Sequence, residues 1–409
     1  MSVSLLDLLC LSLRLHNKNT FRVSDRDKTA DDWSVIHQEA REQAVLGVAF
    51  DGMQQLVEQG QSEIDRVLML GWFGEVQQIE QQNEVVNVAL RELVELYCKA
   101  GIPFVVMKGQ TVGAVYPNPM RRQSGDIDVF VWEEQAEARM IKTGGEDKHT
   151  AYERACMLLQ KQGGVLDEVA PEKHAEFSFR GVVVEVHHTL LDMFCPSALR
   201  YLEHLDYRQV IEMHEVAGIQ VPCFKPMFNG VYMLGHMVHH LLTEGLGLRQ
   251  VCDWMLLMKR LEQHCVHKDS SVPDLQEKTV NGVPPSYIYN NVEELKRHLE
   301  KLHLTEAFSV FVQLGVLHFG LDVACWRWAF LSYSEKEAEK LLAYMMESGN
   351  FGRKTMAKKR DSSLANNVSN AWLYFRHLLT LRRIAPAEVR WFFPVRVHRW
   401  MQKGRFKNH

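Results

Sequence analysis

Asp126 and Asp128 stand one residue apart at the head of the apolar run DIDVFV, and Glu185 lies alone among valines in VVVEV. Along a strand, residues i and i+2 leave the same face, so the two aspartates aim their carboxylates one way. Closely grouped carboxylates hold divalent ions. Two such ions about 3.5–4 Å apart neutralise and align a phosphoryl or nucleotidyl group in transfer, a reaction that asks little covalent chemistry of the protein. Val182, Val184 and Val186 take the face opposite Glu185, so the charge needs a partner, and a metal shared with the aspartates supplies one. Alternatively, DID is a solvated strand end and Glu185 faces water. The three acids taken together favour the metal site.

Further candidates surround these acids. Lys108 and Gly109 form a strand-to-helix turn, where backbone N–H groups and a helix N-terminus attract phosphate. Lys108 could pair with a triphosphate there, and Arg121 or Arg122, just ahead of the aspartates, with another part of it. His187 follows Glu185 by two and shares its strand face, as a phosphate contact, a proton carrier or a hydrogen-bonded neighbour; His188 points the other way. His236 and His240 are four apart on one helix face, a spacing that can bind metal. Met237 stands where the metalloprotease motif HExxH requires glutamate, so these two histidines line a nucleotide or acceptor cleft or form a core pair. Arg249 and Asp253, at i and i+4, suit an intrahelical ion pair.

Positioning these residues requires an α+β arrangement. Helices fill residues 1–100, the clearest at 83–100, where Val86, Leu90, Leu93 and Tyr97 share a face and Gly101 with Pro103 ends the segment. Residues 103–109 form a short β-branched strand, and Thr111 caps a helix that YPNP then breaks. In a second strand, 126–132, Ile127, Val129 and Val131 face a core while Asp126, Asp128 and Phe130 face away. A polar loop with Gly144 and Gly145 leads to a helix at 150–162, and EFSFR-Gly-VVVEVHHTL forms a hairpin. Beyond about residue 205 the pattern is helical, at 228–243, 250–263, 292–303, 306–320 and 335–347, with 267–290 a loop between helices. Three regions follow: N-terminal helices (1–100), a catalytic core (101–205) and a C-terminal helical region with a basic tail (206–409).

Composition narrows the class. The 409 residues are 46% hydrophobic and 24% charged, enough for a substantial core and unlike a disordered chain. From 351 to 409 there are fourteen Lys/Arg against Asp361 and Glu388, a local +12; with −4 overall, the first 350 residues carry −16. RKTMAKKR (353–360) and RWFFPVRVHRW (390–400) mix cations with aromatics, so the tail is either a nucleic-acid surface or a solvated helix face whose aromatics are core. The eight cysteines lack a CxxC pair, which suits reduced thiols in the cytoplasm. The apolar start MSVSLLDLLCLSLRL has no basic leader, and Gln313, His318, Asp322 and Arg327 interrupt the longest apolar run, so no membrane span is expected.

KGQTVGAVYPNPMRRQSGDIDVFV, followed by EVHHTL and then HMVHHLLTEGLGLRQVCDW, resembles the uncharacterised nucleotidyltransferase family of bacteria, a branch of the DNA polymerase beta-like superfamily. The resemblance covers residues 65–265 best. It implies a mixed sheet with flanking helices that binds an NTP with two Mg²⁺, or Mn²⁺ in their place, and passes NMP to an acceptor hydroxyl. On that model Asp126 and Asp128 bind both ions, and Glu185 holds the catalytic ion and helps deprotonate the acceptor. Lys108-Gly109 replaces the superfamily's Gly-Ser pair, Arg122 fits the branch's arginine ahead of DID, and Arg249 could reach the substrate. The acceptor is open: a small molecule, a protein or RNA. Two other readings compete. A DxD glycosyltransferase leaves Glu185 and the Lys-Gly turn without a role, and an idle nucleotide-binding or interaction module has no need of clustered acids.

Overall fold

A computed structural model describes residues 3–15, 30–133, 149–170, 173–265, 285–349 and 377–406. The chain is α+β. Its centre is a five-stranded mixed sheet in the order β1-β2-β5-β4-β3, built from β1 (Phe104–Met107), β2 (Asp126–Val131), β3 (Val165–Ala170), β4 (His174–Phe179) and β5 (Val182–His187). β2 and β5 run parallel, which demands a crossover; the Ala151–Lys161 helix followed by β3 and β4 supplies it. All other pairings are antiparallel.

Strand alternation divides the sheet into two faces. Ile127, Val129 and Val131 of β2, with Val182, Val184 and Val186 of β5 and Phe177 and Phe179 of β4, enter one core. Over them lie Val86, Leu90, Leu93 and Tyr97 of the Arg66–Lys99 helix and Ala155 and Leu159 of the Ala151–Lys161 helix. All four expected residues on the long helix are buried. At about 1.5–3 kcal/mol for each large apolar side chain removed from water, this stripe fixes the helix on the sheet. Asp65 caps its start by accepting from the Val67 and Leu68 amides, and Gly101, at φ 64, ends it. The start at 66 is earlier than the sequence suggested, because the periodic face is clear only in the second half.

The opposite face of the sheet presents Val105, Met107 and Phe130 to a second core. That core is filled by the C-terminal helices (Trp254, Phe308, Phe311, Phe392) and by the N-terminal ones (Leu8, Trp33, Phe50, Trp72). Gln43 stitches the two groups together: its amide donates to the Met345 carbonyl at 2.9 Å and its oxygen accepts from the Leu248 amide at 2.9 Å. Gly47 lies so close to the chain ahead of β2 that a β-carbon there would stand 2.4 Å from the Arg121 carbonyl oxygen.

Several expectations need correction. β6 (Ile211–Val216) and β7 (Ile219–Phe224) form a hairpin where helix was expected. Its turn, Ala217-Gly218, has φ of 52 and 78, the paired left-handed residues that tight hairpins favour, and Val216, Val221 and Cys223 join the first core. β3 was missed because its exposed Val165, Leu166 and Val169 give no half-buried alternation. Thr111 caps no helix. The short helix starts at Gly109 with Lys108 at its N-cap, and the Thr111 hydroxyl donates back to the Lys108 carbonyl at 2.7 Å. Gly144, Gly145, residues 266–284 and 353–360 lie outside the described residues. From Pro285 the chain is helical to Lys301, so the expected loop ends earlier than residue 290. In the Pro386–Phe406 helix, Phe392 is core while Trp391 and Phe393 are exposed, and Arg399 pairs with Asp192 at 2.9 Å. No helix among the described residues is long and apolar enough to cross a membrane.

Candidate active site

The parallel register of β2 and β5 sets Asp128 directly beside Glu185, with Asp126 two residues back on the same face. One ligand oxygen from each of Asp126, Asp128 and Glu185 lies within 4.8 Å of the others. The row continues across the sheet, for Glu185 is opposite Glu176 and Glu176 opposite Glu168. Like charges abreast on neighbouring strands destabilise a sheet, so a row of this kind asks for a counter-charge.

The protein supplies part of it. β1 ends beside Asp128, and Lys108 follows with φ 51 and ψ −150, a left-handed conformation that a residue with a side chain adopts only under constraint. Gly109, also left-handed at φ 52, stays close to the Asp126 carbonyl, 3.4 Å from where a β-carbon would be. The turn brings the Lys108 ammonium to 3.0 Å from Asp128 Oδ1 and 3.3 Å from His236 Nε2. His187 Nε2 sits between two acids, 3.2 Å from Asp128 Oδ1 and 3.0 Å from Glu185 Oε2. The helix foreseen after Lys108 has five residues, so what it offers a phosphate is the turn and the ammonium.

These contacts split the acids. The neighbouring Asp128 carboxylate, then burial, push Asp126 up from its ordinary range. Burial works against Asp128 too, but Lys108 and His187 outweigh it and hold that carboxylate well below the usual range. Burial likewise opposes the Glu185 charge, and the hydrogen bond to His187 together with the His187 and Lys108 charges holds the carboxyl below its ordinary range. Burial drives Lys108 down, but Asp128, Tyr232, Asp126 and Glu185 together outweigh it, so Lys108 remains an ammonium.

The Pro226–Thr243 helix closes the site from above with His236 and His240. Burial, then Lys108, holds His236 well below the ordinary imidazole range, and burial lowers His240 as well, so both are neutral near pH 7. Glu244 can only accept, so its 3.2 Å contact assigns the proton to His240 Nδ1, and His240 Nε2 accepts from His236 across 3.0 Å. The pair therefore forms a hydrogen-bonded chain oriented by Glu244; its His236 Nε2 proton goes to His240, so the Lys108 ammonium at 3.3 Å stands beside that nitrogen without donating to it.

Arg122 is placed differently from the other candidates. It is buried, with Nε and Nη2 each 2.8 Å from an oxygen of Asp253 and Nη1 2.8 Å from Ser124 Oγ. The Tyr116 hydroxyl donates to the same Asp253 carboxylate at 2.6 Å. This bidentate clamp ties the segment before β2 to the Leu248–Cys265 helix. Asp253 thus serves Arg122. Arg249 donates to the Gln123 carbonyl at 2.9 Å and acts on Asp126 as a nearby positive charge. Burial, then the Arg122 charge, lowers its own pKa. Arg121 turns away from the site to Asp51 and Glu80, both at 2.8 Å.

The sequence matches the family model described as an uncharacterised nucleotidyltransferase over residues 29–278. The chain belongs to this family. The match spans the sheet, the three acids, the Lys108 turn and the histidine helix, in keeping with the resemblance carried by the motifs. No curated protein matches the nucleotidyltransferase sequence. A crystal structure of an antigenic nucleotidyltransferase-like protein from Paracoccidioides brasiliensis is similar over 60% of this chain and 98% of its own, with 10% identity and a TM-score of 0.29.

Sequence reading missed several residues that shape the candidate site. His174 is opposite His187 on β4, with Nδ1 3.8 Å from Glu185 Oε2. Asn83 donates to the Met120 and Arg122 carbonyls at 2.9 and 2.8 Å and so fixes the loop that leads to β2. Ser124 donates to Gln110 at 2.6 Å. Each depends on pairing or on contacts far along the chain, where no local pattern points. His187 and Glu185 were legible because two-residue spacing is local.

The residues fit a divalent ion. Carboxylate oxygens are the hard donors that Mg²⁺ and Mn²⁺ take, and three acids within 4.8 Å face a single ammonium at contact distance among the described residues.

Proposed function

We propose that the protein is a divalent-metal-dependent nucleotidyltransferase that passes NMP from an NTP to an acceptor hydroxyl and releases pyrophosphate. The observation that carries this reading is the convergence of Asp126, Asp128 and Glu185 on one sheet face beside the Lys108 turn.

In the reaction the acceptor oxygen bonds to the α-phosphorus, the bond from that phosphorus to the α,β-bridging oxygen breaks, and the hydroxyl proton leaves to a base. Asp126, Asp128 and Glu185 would hold the Mg²⁺ or Mn²⁺ ions. When bound, these neutralise the triphosphate and the charge that develops on the bridging oxygen. Glu185, ionised near neutral pH, would take the acceptor proton. Lys108 exchanges its contact with Asp128 for one with the phosphates, beside the neutral His236–His240 pair. Arg249 adds a positive charge beside Asp126, while Arg122 acts through Asp253 as a positioning residue.

The acceptor is assigned to a cavity at the end of β2 that Asp126, Asp128 and Glu185 do not line. Phe130 continues the alternation of Asp126 and Asp128 and, with Trp132, Tyr152 and Tyr207, lines an open cavity of about 560 Å³. Incubation with each α-labelled NTP, Mg²⁺ and a cell extract identifies the base and the labelled product. Pyrophosphate release that vanishes in Asp126→Ala and Asp128→Ala, with circular dichroism unchanged, supports the reading; release unaltered in both variants overturns it.

A further inference from the structure

His174, Glu185 and His187 form a second group able to share an ion, with one ligand atom from each within 4.8 Å of the others. The strands dictate it. His187 lies two residues beyond Glu185 on β5, and β4 pairs His174 with His187, so all three side chains leave one face. Bonds of about 2.0–2.2 Å set the ligand atoms of one ion roughly 3–4 Å apart. His187 Nε2 and His174 Nδ1 stand 3.0 and 3.8 Å from the same Glu185 oxygen.

Two details point to a ligand. His174 Nδ1 is shielded from solvent and has no hydrogen-bond partner, so a nitrogen that needs a partner faces Glu185 at 3.8 Å. His187 Nε2 meets oxygens of both Asp128 and Glu185 within 3.2 Å, although one N–H donates well to only one of them. A cation among the three side chains satisfies both nitrogens.

We propose that His174, Glu185 and His187 make a nitrogen-bearing metal subsite next to the three carboxylates, selective for a first-row transition cation such as Co²⁺ or Zn²⁺ over Mg²⁺. Imidazole nitrogens favour such ions, whereas Mg²⁺ keeps oxygen ligands and several waters. The subsite extends the metal centre of the nucleotidyltransferase reading through Glu185 and borrows its anionic site but not its reaction.

The test is titration of the untagged full chain with Co²⁺, without nucleotide, followed by visible absorption. A ligand-field band stronger than that of the aquo ion, displaced by Zn²⁺ and resistant to excess Mg²⁺, is expected. In His174→Ala and His174→Gln the Co²⁺ affinity falls by at least about tenfold, while the Mg²⁺-induced shift in melting temperature is retained. A spectrum like the aquo ion, ready displacement by Mg²⁺, or identical titrations of wild type and both variants overturns the subsite. If the variants do not fold, Co²⁺-shifted imidazole N–H resonances in the wild-type proton spectrum decide the matter, and their absence counts against the proposal. Binding and turnover fail separately. Label transfer without the Co²⁺ band removes the subsite alone, and the band without label transfer removes the reaction alone.

Discussion

The Lys108 ammonium lies 3.0 Å from Asp128 Oδ1, on a residue held at φ 51. On the proposed reading, a side chain that neutralises Asp128 in the free protein competes with the incoming ion, and is then released toward the phosphates. Lys108→Met separates these roles. The variant binds Mn²⁺ more tightly than wild type in calorimetry, yet its kcat/KM for NTP falls on the order of 10²-fold, the scale of one lost charge contact in a transition state. Weaker Mn²⁺ binding in Lys108→Met contradicts this exchange.

The Arg122–Asp253 clamp is a stability element. Both side chains are buried, and removing one leaves the other charge uncompensated, at a cost of about 3–5 kcal/mol. Asp253→Ala should therefore unfold at a markedly lower denaturant midpoint. Because Arg122 is four residues ahead of Asp126, label transfer should drop as well. An unchanged midpoint would show that the clamp contributes nothing.

Close packing behind the site predicts opposite outcomes for two glycines in helices. At Gly47 a β-carbon would meet the Arg121 carbonyl oxygen at 2.4 Å, so Gly47→Ala forces backbone movement and should cost about 1–3 kcal/mol. Gly74, in the Arg66–Lys99 helix, has nothing within 4 Å of an added β-carbon. Gly74→Ala should gain about 0.5–1 kcal/mol through helix propensity. Paired thermal melts check both signs.

Glu388 sets a pH dependence away from the three clustered acids. Its carboxylate is buried and accepts from the Phe194 and Cys195 amides at 2.6 and 3.0 Å, and burial raises its pKa from 4.5 to about 6. Below pH 4.5 it is protonated in both folded and unfolded states, and its contribution to stability is fully present. As pH rises through 4.5 to about 6 the unfolded chain loses the proton first, so that contribution is lost, by roughly 2 kcal/mol. Wild type should lose stability relative to Glu388→Gln across this interval and hold level above it. Denaturant melts of both proteins at pH 4, 5, 6 and 7 measure the difference.

The site was readable where its signals are local. Two-residue spacing placed Asp126 with Asp128 and Glu185 with His187, and the four-residue step placed His236 with His240; the fold sets each pair on a common face. The burial of Val86, Leu90, Leu93 and Tyr97 followed from helical periodicity for the same reason. Partner choice was not local. Asp253 is four residues from Arg249 yet is clamped by Arg122, because the Leu248–Cys265 helix packs beside the segment that enters β2. His174 gave no signal until β4 was paired with β5. The β6–β7 hairpin escaped notice because its Ala-Gly turn and short alternation are weak beside the helices that follow.

The most direct measurement is transfer of label from an α-labelled NTP by Glu185→Gln, in a single turnover, beside wild type. Removing one charge from three acids within 4.8 Å, with the shape of the side chain kept, should reduce transfer on the order of 10³-fold and leave the melting temperature of the metal-free protein near that of wild type. Transfer at the wild-type rate would contradict a centre built from Asp126, Asp128 and Glu185.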